Sequence, residues 1–196
     1  IPGLHNQVNA EAAWQAARLL DVPRGGAEHA IAKYAGSWRR FEKLEIGNWK
    51  LEISKAELYS DYAHHPTEIK ATLAAFREKF LKKKIICVFQ PHQADRLTRL
   101  FKDFAGAFDL ADTVVFIPTY RVSGREAVGG EPKRTRKTRD AFDLAQEVRK
   151  KKDSAFYAEG VPQAVRLIEK DFTAKRIVIF MGAGDIDAEV RKFLKL

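Results

Sequence analysis

A single cysteine, Cys87, leaves this chain of 196 residues no internal disulfide to form. It lies inside Ile85-Ile86-Cys87-Val88-Phe89, a context that suits a small buried hydrophobe, and a reducing cytoplasm is the expected setting. No apolar stretch approaches the roughly 20 residues needed to span a bilayer, so no membrane-spanning helix is expected. The N-terminus offers neither a basic region nor an apolar run, and secretion has no support. Twelve glycines are present and none precedes a lysine, so the loop G-x-x-x-x-G-K-[ST] that cradles a triphosphate does not occur. Internal repeats and low-complexity tracts are missing too. The first residue is isoleucine and the only methionine is Met181, so the chain is expected to be part of something longer.

What is present describes a folded protein. Hydrophobic content of 45% and aromatic content of 11% suffice for a real core. The formal net charge of +9 raises the question of nucleic acid or an anionic ligand. Its basic residues come in blocks. Lys82-Lys83-Lys84 and Arg149-Lys150-Lys151-Lys152 each end an expected helix, where they complement its dipole. Lys133 to Arg139 follows Gly129-Gly130 and Pro132, and is expected to be an exposed basic loop.

Helical recurrence of Val8, Ala12, Ala16, Leu19 and Leu20 predicts a helix over 5–20, broken by Pro23, Gly25 and Gly26. A short helix from Ala27 to Tyr34 is expected next, with Gly36 stopping it. Alternation in Asn48-Trp49-Lys50-Leu51-Glu52-Ile53 predicts a half-exposed strand. A helix opens at Pro66, where the missing N–H costs nothing. Strands are then predicted at 85–89, 113–117, 155–157 and 176–180. They alternate with helices at 95–108, 140–150, 162–170 and 186–194. That alternation predicts an α/β fold: a Rossmann-like, mostly parallel sheet with helices on both faces, preceded by a short helical segment. Ligands of such sheets gather beyond the C-terminal strand ends. Asp61, Gln90-Pro91-His92, Pro118 and Gly182-Ala183-Gly184-Asp185 occupy that edge.

The densest chemistry is Asp61-Tyr62-Ala63-His64-His65-Pro66-Thr67-Glu68-Ile69, too polar for an ordinary buried strand. Asp61 lies too far upstream to cap the helix at Pro66; Thr67 and Glu68 are better placed for its first turn. Adjacent His64 and His65 point apart and no acid or cysteine stands at ligand spacing, so no metal is expected on them. Asn6 and Asn9 share a helix face, where their amides suit either the edge of adenine or helix capping. Arg40 offers a fork of donors matched to phosphate, or a weak surface pair with Glu42. The Gly182–Asp185 loop carries two glycines, too few for a dinucleotide fingerprint, and a tight strand-to-helix turn is expected there.

Five segments in one order resemble the Mur ligases, the ATP-dependent amide-forming enzymes of peptidoglycan synthesis. They are Pro2-Gly3-Leu4-His5-Asn6-Gln7-Val8-Asn9-Ala10, Arg39-Arg40-Phe41-Glu42, the Asp61–Ile69 run, Phe89-Gln90-Pro91-His92-Gln93-Ala94-Asp95-Arg96, and Met181-Gly182-Ala183-Gly184-Asp185-Ile186. The order favours the alanine-adding branch. Ala94 and Asp95 depart from its usual pattern, where an aromatic and a small hydroxyl residue stand. The resemblance implies that residues 1–42 are the end of the central ATP-binding domain with the hinge, and 43–196 the C-terminal domain. It implies adenine contact by His5, Asn6 and Asn9, ribose contact by Asp61, and a reach from catalytic Arg40 to the γ-phosphate of ATP. Tyr62, His64 and His92 would line the substrate end, Arg96 would hold the carboxylate of alanine, and His65 would be structural.

The family's nucleotide-sugar domain, its triphosphate loop and its magnesium ligands have no match here, and the ligands for magnesium are expected upstream. The full-length protein is expected to join L-alanine to UDP-N-acetylmuramate with ATP and magnesium, in support of cell-wall synthesis, cell shape and division. The 196 residues are expected to be inactive alone. Rival readings are a peptide-recycling muramate ligase, or a non-catalytic basic domain binding nucleic acid or a partner protein.

Overall fold

The computed structural model describes residues 2–45, 56–121, 138–171 and 173–195. The strand expected at 48–53 and most of the basic block Lys133–Arg139 lie outside those residues. Six strands form one sheet: β1 (Glu42–Leu44), β2 (Glu57–Asp61), β3 (Lys84–Phe89), β4 (Thr113–Phe116), β5 (Ala155–Tyr157) and β6 (Arg176–Met181). Their spatial order is β1-β2-β6-β3-β4-β5. All neighbours run parallel except β1, which lies antiparallel on β2 at the edge.

β3 and β6 sit in the middle and are the most continuously apolar, as strands covered on both faces must be. Side chains alternate between two cores with the period of two that a strand imposes. Ile85, Cys87 and Phe89 enter a core with α3 (Pro66–Lys79), α4 (Ala94–Arg99), α5 (Phe101–Ala105) and α6 (Ala141–Arg149). Ile86 and Val88 enter the opposite core with α7 (Val161–Ile168) and α8 (Ile186–Leu194). The expected fold class is therefore the observed one.

Local signals set most element ends. His65 caps α3 by accepting from the Thr67 N–H, while Glu68 reaches back to the capping backbone, and Pro66 takes the first position. Asp140 and Asp143 make the same reciprocal box at α6. The single helix expected over 95–108 is two short ones meeting at Leu100. β1 and β2 were not expected. Asp61 ends a buried strand after all, because its polar atoms and those of Ser60 find partners far away in sequence: Ser60 Oγ donates to Asp187 Oδ1 at 2.6 Å.

Ahead of the sheet lie α1 (Leu4–Leu19) and α2 (Arg24–Lys33). None of the α1 residues is buried, and Ala27 alone is in α2. Gly3, at φ 104°, brings the start of α1 onto α3, where an added Cβ would stand 2.7 Å from that of Ala75. No helix among the described residues is long and apolar enough to cross a membrane.

Candidate functional site

The sheet register levels four strand ends: Asp61 pairs with Met181, Met181 with Phe89, and Phe89 with Phe116. Asp61, Tyr62, His64, His92 and Arg96 lie at or just beyond that edge, while His5, Asn6 and Asn9 come from α1 and Arg40 from the segment before β1. On one side of the start of α3 the loops gather a group of rings with Arg96, termed the cleft, and on the other a cavity opens.

In the cleft, the His64 and His92 rings lie edge to face with centroids 5.8 Å apart, and Tyr62 stands edge-on to His64 at 5.4 Å. His92 is stacked on Tyr120 at 5.4 Å, and the two loops are bridged by Tyr120 N–H to Pro91 O (2.8 Å) and Gln93 N–H to Tyr120 O (3.0 Å). Burial, then the nearby His64 and Arg96, push the His92 imidazole below its ordinary pKa. Such a ring stays neutral beside a cation. Arg96 Nη1 and His92 Nδ1 are buried without a hydrogen-bond partner, as is Thr119 Oγ1 next to Tyr120. An unsatisfied buried guanidinium nitrogen is costly and fits a site built to receive an anion such as a carboxylate. Arg99 pairs with Asp95 at 2.9 Å rather than supporting Arg96.

The cavity, about 910 Å³, lies between α1, α2 and the first turns of α3. Its wall includes His5, Asn6 and Asn9 from α1, Tyr34 beyond α2, Arg40, and Glu68 and Thr72 from α3. Neither asparagine caps α1, since Gly3 holds that position; Asn6 Nδ2 instead donates to Pro2 O at 2.7 Å. Arg40 is at the rim, its Nη2 3.9 Å from Glu68 Oε1 and its guanidinium 5.5 Å from the Tyr62 ring centre.

Glu68 is the residue that cleft and cavity share. Its Oε2 accepts from the His64 and His65 N–H groups at 3.0 and 3.1 Å and lies 3.3 Å from His64 Nδ1. Burial pushes this carboxyl up, but those N–H groups and the His64 and Arg40 charges outweigh it and leave it below its ordinary value.

Asp61 does not line the cavity. Only 3% exposed, it accepts from Ala63 N–H (2.9 Å) and Thr72 Oγ1 (3.3 Å) on Oδ1 and from Phe41 N–H (2.9 Å) on Oδ2. Burial raises its pKa despite these donors. It stands behind the wall, with Thr72 between it and the cavity.

The Gly182–Asp185 turn is filled by the protein's own groups. Gly182 N–H donates to Asp61 O (3.0 Å) and Ile186 N–H to Gln90 Oε1 (3.1 Å), so the anion-binding option is closed for those two donors. A Cβ on Gly184 would meet Gln90 Oε1 at 2.4 Å and Tyr120 at 2.5 Å, which is why glycine stands there. Thr72 and Tyr120 carry no signal in the sequence, and Arg39 and Gln90 stand in the quoted segments without a role of their own, because the role of each comes from a distant loop. Among the described residues no group of three His, Cys, Asp or Glu could hold a metal ion.

Among the described residues, one member of each basic block illustrates local engagement. Lys83 pairs with Glu57, Lys152 donates to Ala111 O, and Arg139 lies over the Phe101 ring at 4.8 Å.

A family model described as Mur ligase, glutamate ligase domain, matches residues 39–184. The chain is 35% identical over 188 residues to the UDP-N-acetylmuramate–L-alanine ligase of Synechococcus sp. (strain JA-2-3B'a(2-13)), which covers 96% of this chain and 36% of that relative. The solved structure of the UDP-N-acetylmuramate–alanine ligase from Thermotoga maritima matches with a TM-score of 0.71 at 28% identity, over all (100%) of this chain and 38% of its own. A murein peptide ligase from Psychrobacter arcticus 273-4 shares the fold at a TM-score of 0.60 and 22% identity, over 100% of this chain and 37% of its own. The chain thus spans well under half the length of the relatives it matches.

Proposed function

Since the chain belongs to the Mur ligase family, we propose that it is the C-terminal part of an ATP-dependent ligase joining L-alanine to UDP-N-acetylmuramate in peptidoglycan synthesis. The observation that carries this reading is the unpartnered Arg96 Nη1 near His92 and His64, with Glu68 touching His64 and also lining, with the amides and Arg40, the neighbouring cavity. In the full-length reaction ATP activates the muramoyl carboxylate as an acyl phosphate, which the amine of alanine attacks.

This chain contributes position and charge. Arg96 takes the carboxylate of alanine through a charge-assisted pair and so fixes where the amine points. Neutral His92, with Tyr62 and His64, walls the amine's approach without adding a second positive charge. Asn6, Asn9 and His5 meet adenine, and Arg40 leaves Glu68 for the γ-phosphate. For Asp61, buried behind Thr72 and absent from the cavity wall, the geometry supports bracing that wall rather than direct contact with the ribose. We place the magnesium ligands, the triphosphate loop and the nucleotide-sugar domain outside this chain, as the family resemblance implies. A cytoplasmic setting follows from these substrates, as do roles in cell shape and division.

The 196-residue chain mixed with UDP-N-acetylmuramate, alanine, ATP and magnesium is expected to release no phosphate, while the full-length ligase does. Sustained turnover by the chain alone would overturn the division of labour. Competition between alanine and a tripeptide for the full-length ligase separates this reading from peptide recycling.

A further inference from the structure

His64, His65 and His92 stand close together beyond the sheet edge, and their surroundings give each imidazole a different state. His65 Nδ1 accepts the Thr67 N–H at 3.3 Å, so its proton is on Nε2 and its lone pair is spent on capping α3. His64 is the reverse. Its Nδ1 lies 3.0 Å from Tyr62 O and 3.3 Å from Glu68 Oε2, both acceptors, so Nδ1 carries the proton. The lone pair is left on Nε2, which no hydrogen bond among the described residues occupies. His92 is neutral beside Arg96, with its Nδ1 buried and unpartnered.

A base for an ammonium ion needs a free lone pair and a group that holds the imidazolium once formed. His64 has both. Glu68 is fixed by its own helix: as the acid of the α3 capping box, its Oε2 accepts the His64 and His65 N–H groups at 3.0 and 3.1 Å. Burial opposes its ionisation, but those donors outweigh burial and keep the carboxyl charged. The His64 side chain is 22% exposed, open enough for a small amine to reach. Its two neighbours lack one requirement each. His92 faces a cation, and His65 would lose its cap on protonation.

We propose that His64 takes the proton from the ammonium of the incoming amino acid, and that Glu68 is the positioning residue that fixes the His64 tautomer. This rests on the ligase reading of the full-length protein. One N–H bond of the ammonium breaks, its electron pair stays on nitrogen, and His64 Nε2 gains the proton. The imidazolium is then held by Glu68 and Tyr62 O. The free amine attacks the acyl phosphate, and the bond from the acyl carbon to the phosphate oxygen breaks. The departing phosphate takes the second proton from nitrogen, and His64 returns its own to water.

Long-range proton–nitrogen correlation spectra of the 196-residue chain, in mildly alkaline buffer, read the tautomers directly. His64 is expected in the Nδ1–H form and His65 in the Nε2–H form. The full-length ligase gives the chemical test, with alanine, largely an ammonium at neutral pH, set against hydroxylamine, largely unprotonated there. His64→Gln is expected to lower kcat with alanine about 100-fold or more, while hydroxamate forms within about threefold of the normal rate. Glu68→Gln keeps an acceptor for the two capping N–H groups and removes the charge; it should lower kcat with alanine about tenfold and likewise spare hydroxamate. Equal losses with both nucleophiles, undiminished alanine turnover in His64→Gln, or an Nε2–H tautomer at His64 would overturn the proposal. A wild-type enzyme forming neither product would sink the ligase reading itself, and this step with it.

Discussion

Helix α1 of the helical pair and helix α3 of the sheet domain carry comparable apolar patterns, yet they end in opposite states. Val8, Leu19 and Leu20 recur as an amphipathic helix should, and Leu19 remains 85% exposed. Leu73 and Phe76, in α3, recur in the same way and are fully buried. Periodicity fixes which face of a helix is apolar; whether that face is covered depends on what lies opposite. For α3 it is the sheet. For α1, the described residues supply α2 and the edge of α3, and Leu4, Val8 and Leu19 stay exposed.

Substitution of Phe76 should mark the contrast most strongly. Phe76→Ala removes a fully buried ring packed against Phe41, Tyr59 and Phe80, and is expected to cost about 3–5 kcal/mol in urea unfolding followed by circular dichroism. A cost under about 1 kcal/mol would mean that the sheet domain is no better packed than the helices before it.

Next comes Arg96. In the full-length ligase, Arg96→Ala is expected to raise the KM for alanine by about thirtyfold or more, with the KM for ATP unchanged. Equal effects on both constants would place Arg96 in a general structural role and merge the cleft with the cavity.

An acid titration sharpens the comparison further, because a strongly depressed carboxylate belongs to the sheet. Burial pushes Glu57 up, but hydrogen bonds from Lys83, Lys43 and Tyr59 outweigh it and hold the group at about 2. A folded value below the unfolded one means stability present above roughly pH 4.5 and lost as the pH falls toward 2. Glu57→Gln should flatten that acid arm, by on the order of 1–3 kcal/mol. Asp61 runs the other way: its raised value makes the charged form a cost that appears as pH rises through it. An acid arm unaltered in Glu57→Gln would show that the lysines do not hold this carboxylate.

Much of this was legible beforehand, for local reasons. Continuous Ile and Val runs announce β3, β4 and β6, and Pro66 and Asp140 announce helix starts. β2 was not legible, because Ser60 and Asp61 are buried by virtue of Asp187, Phe41 and Thr72, partners that no window of sequence contains. Residues carrying unusual chemistry, such as His64, His92 and Arg96, stand out in the sequence, and the fold sets the two rings 5.8 Å apart with Arg96 near His92. Arg39 and Arg40 could not be told apart. Only the carbonyls of Gly182 and Gly184, some 140 residues away, decide which arginine turns inward.

The smallest expected effect is the most telling about α1. Leu19→Ala removes a large apolar side chain, yet with nothing covering it the loss of stability in this chain should stay within about 0.5 kcal/mol. The same substitution in the full-length protein is expected to cost about 2–3 kcal/mol, the ordinary figure for a leucine that has become buried. Paired urea titrations of chain and full-length protein give both numbers. Equal, small costs in the two would mean that the apolar face of α1 stays open to water in the complete protein, and that the helical pair owes its position to α3 and the cavity instead.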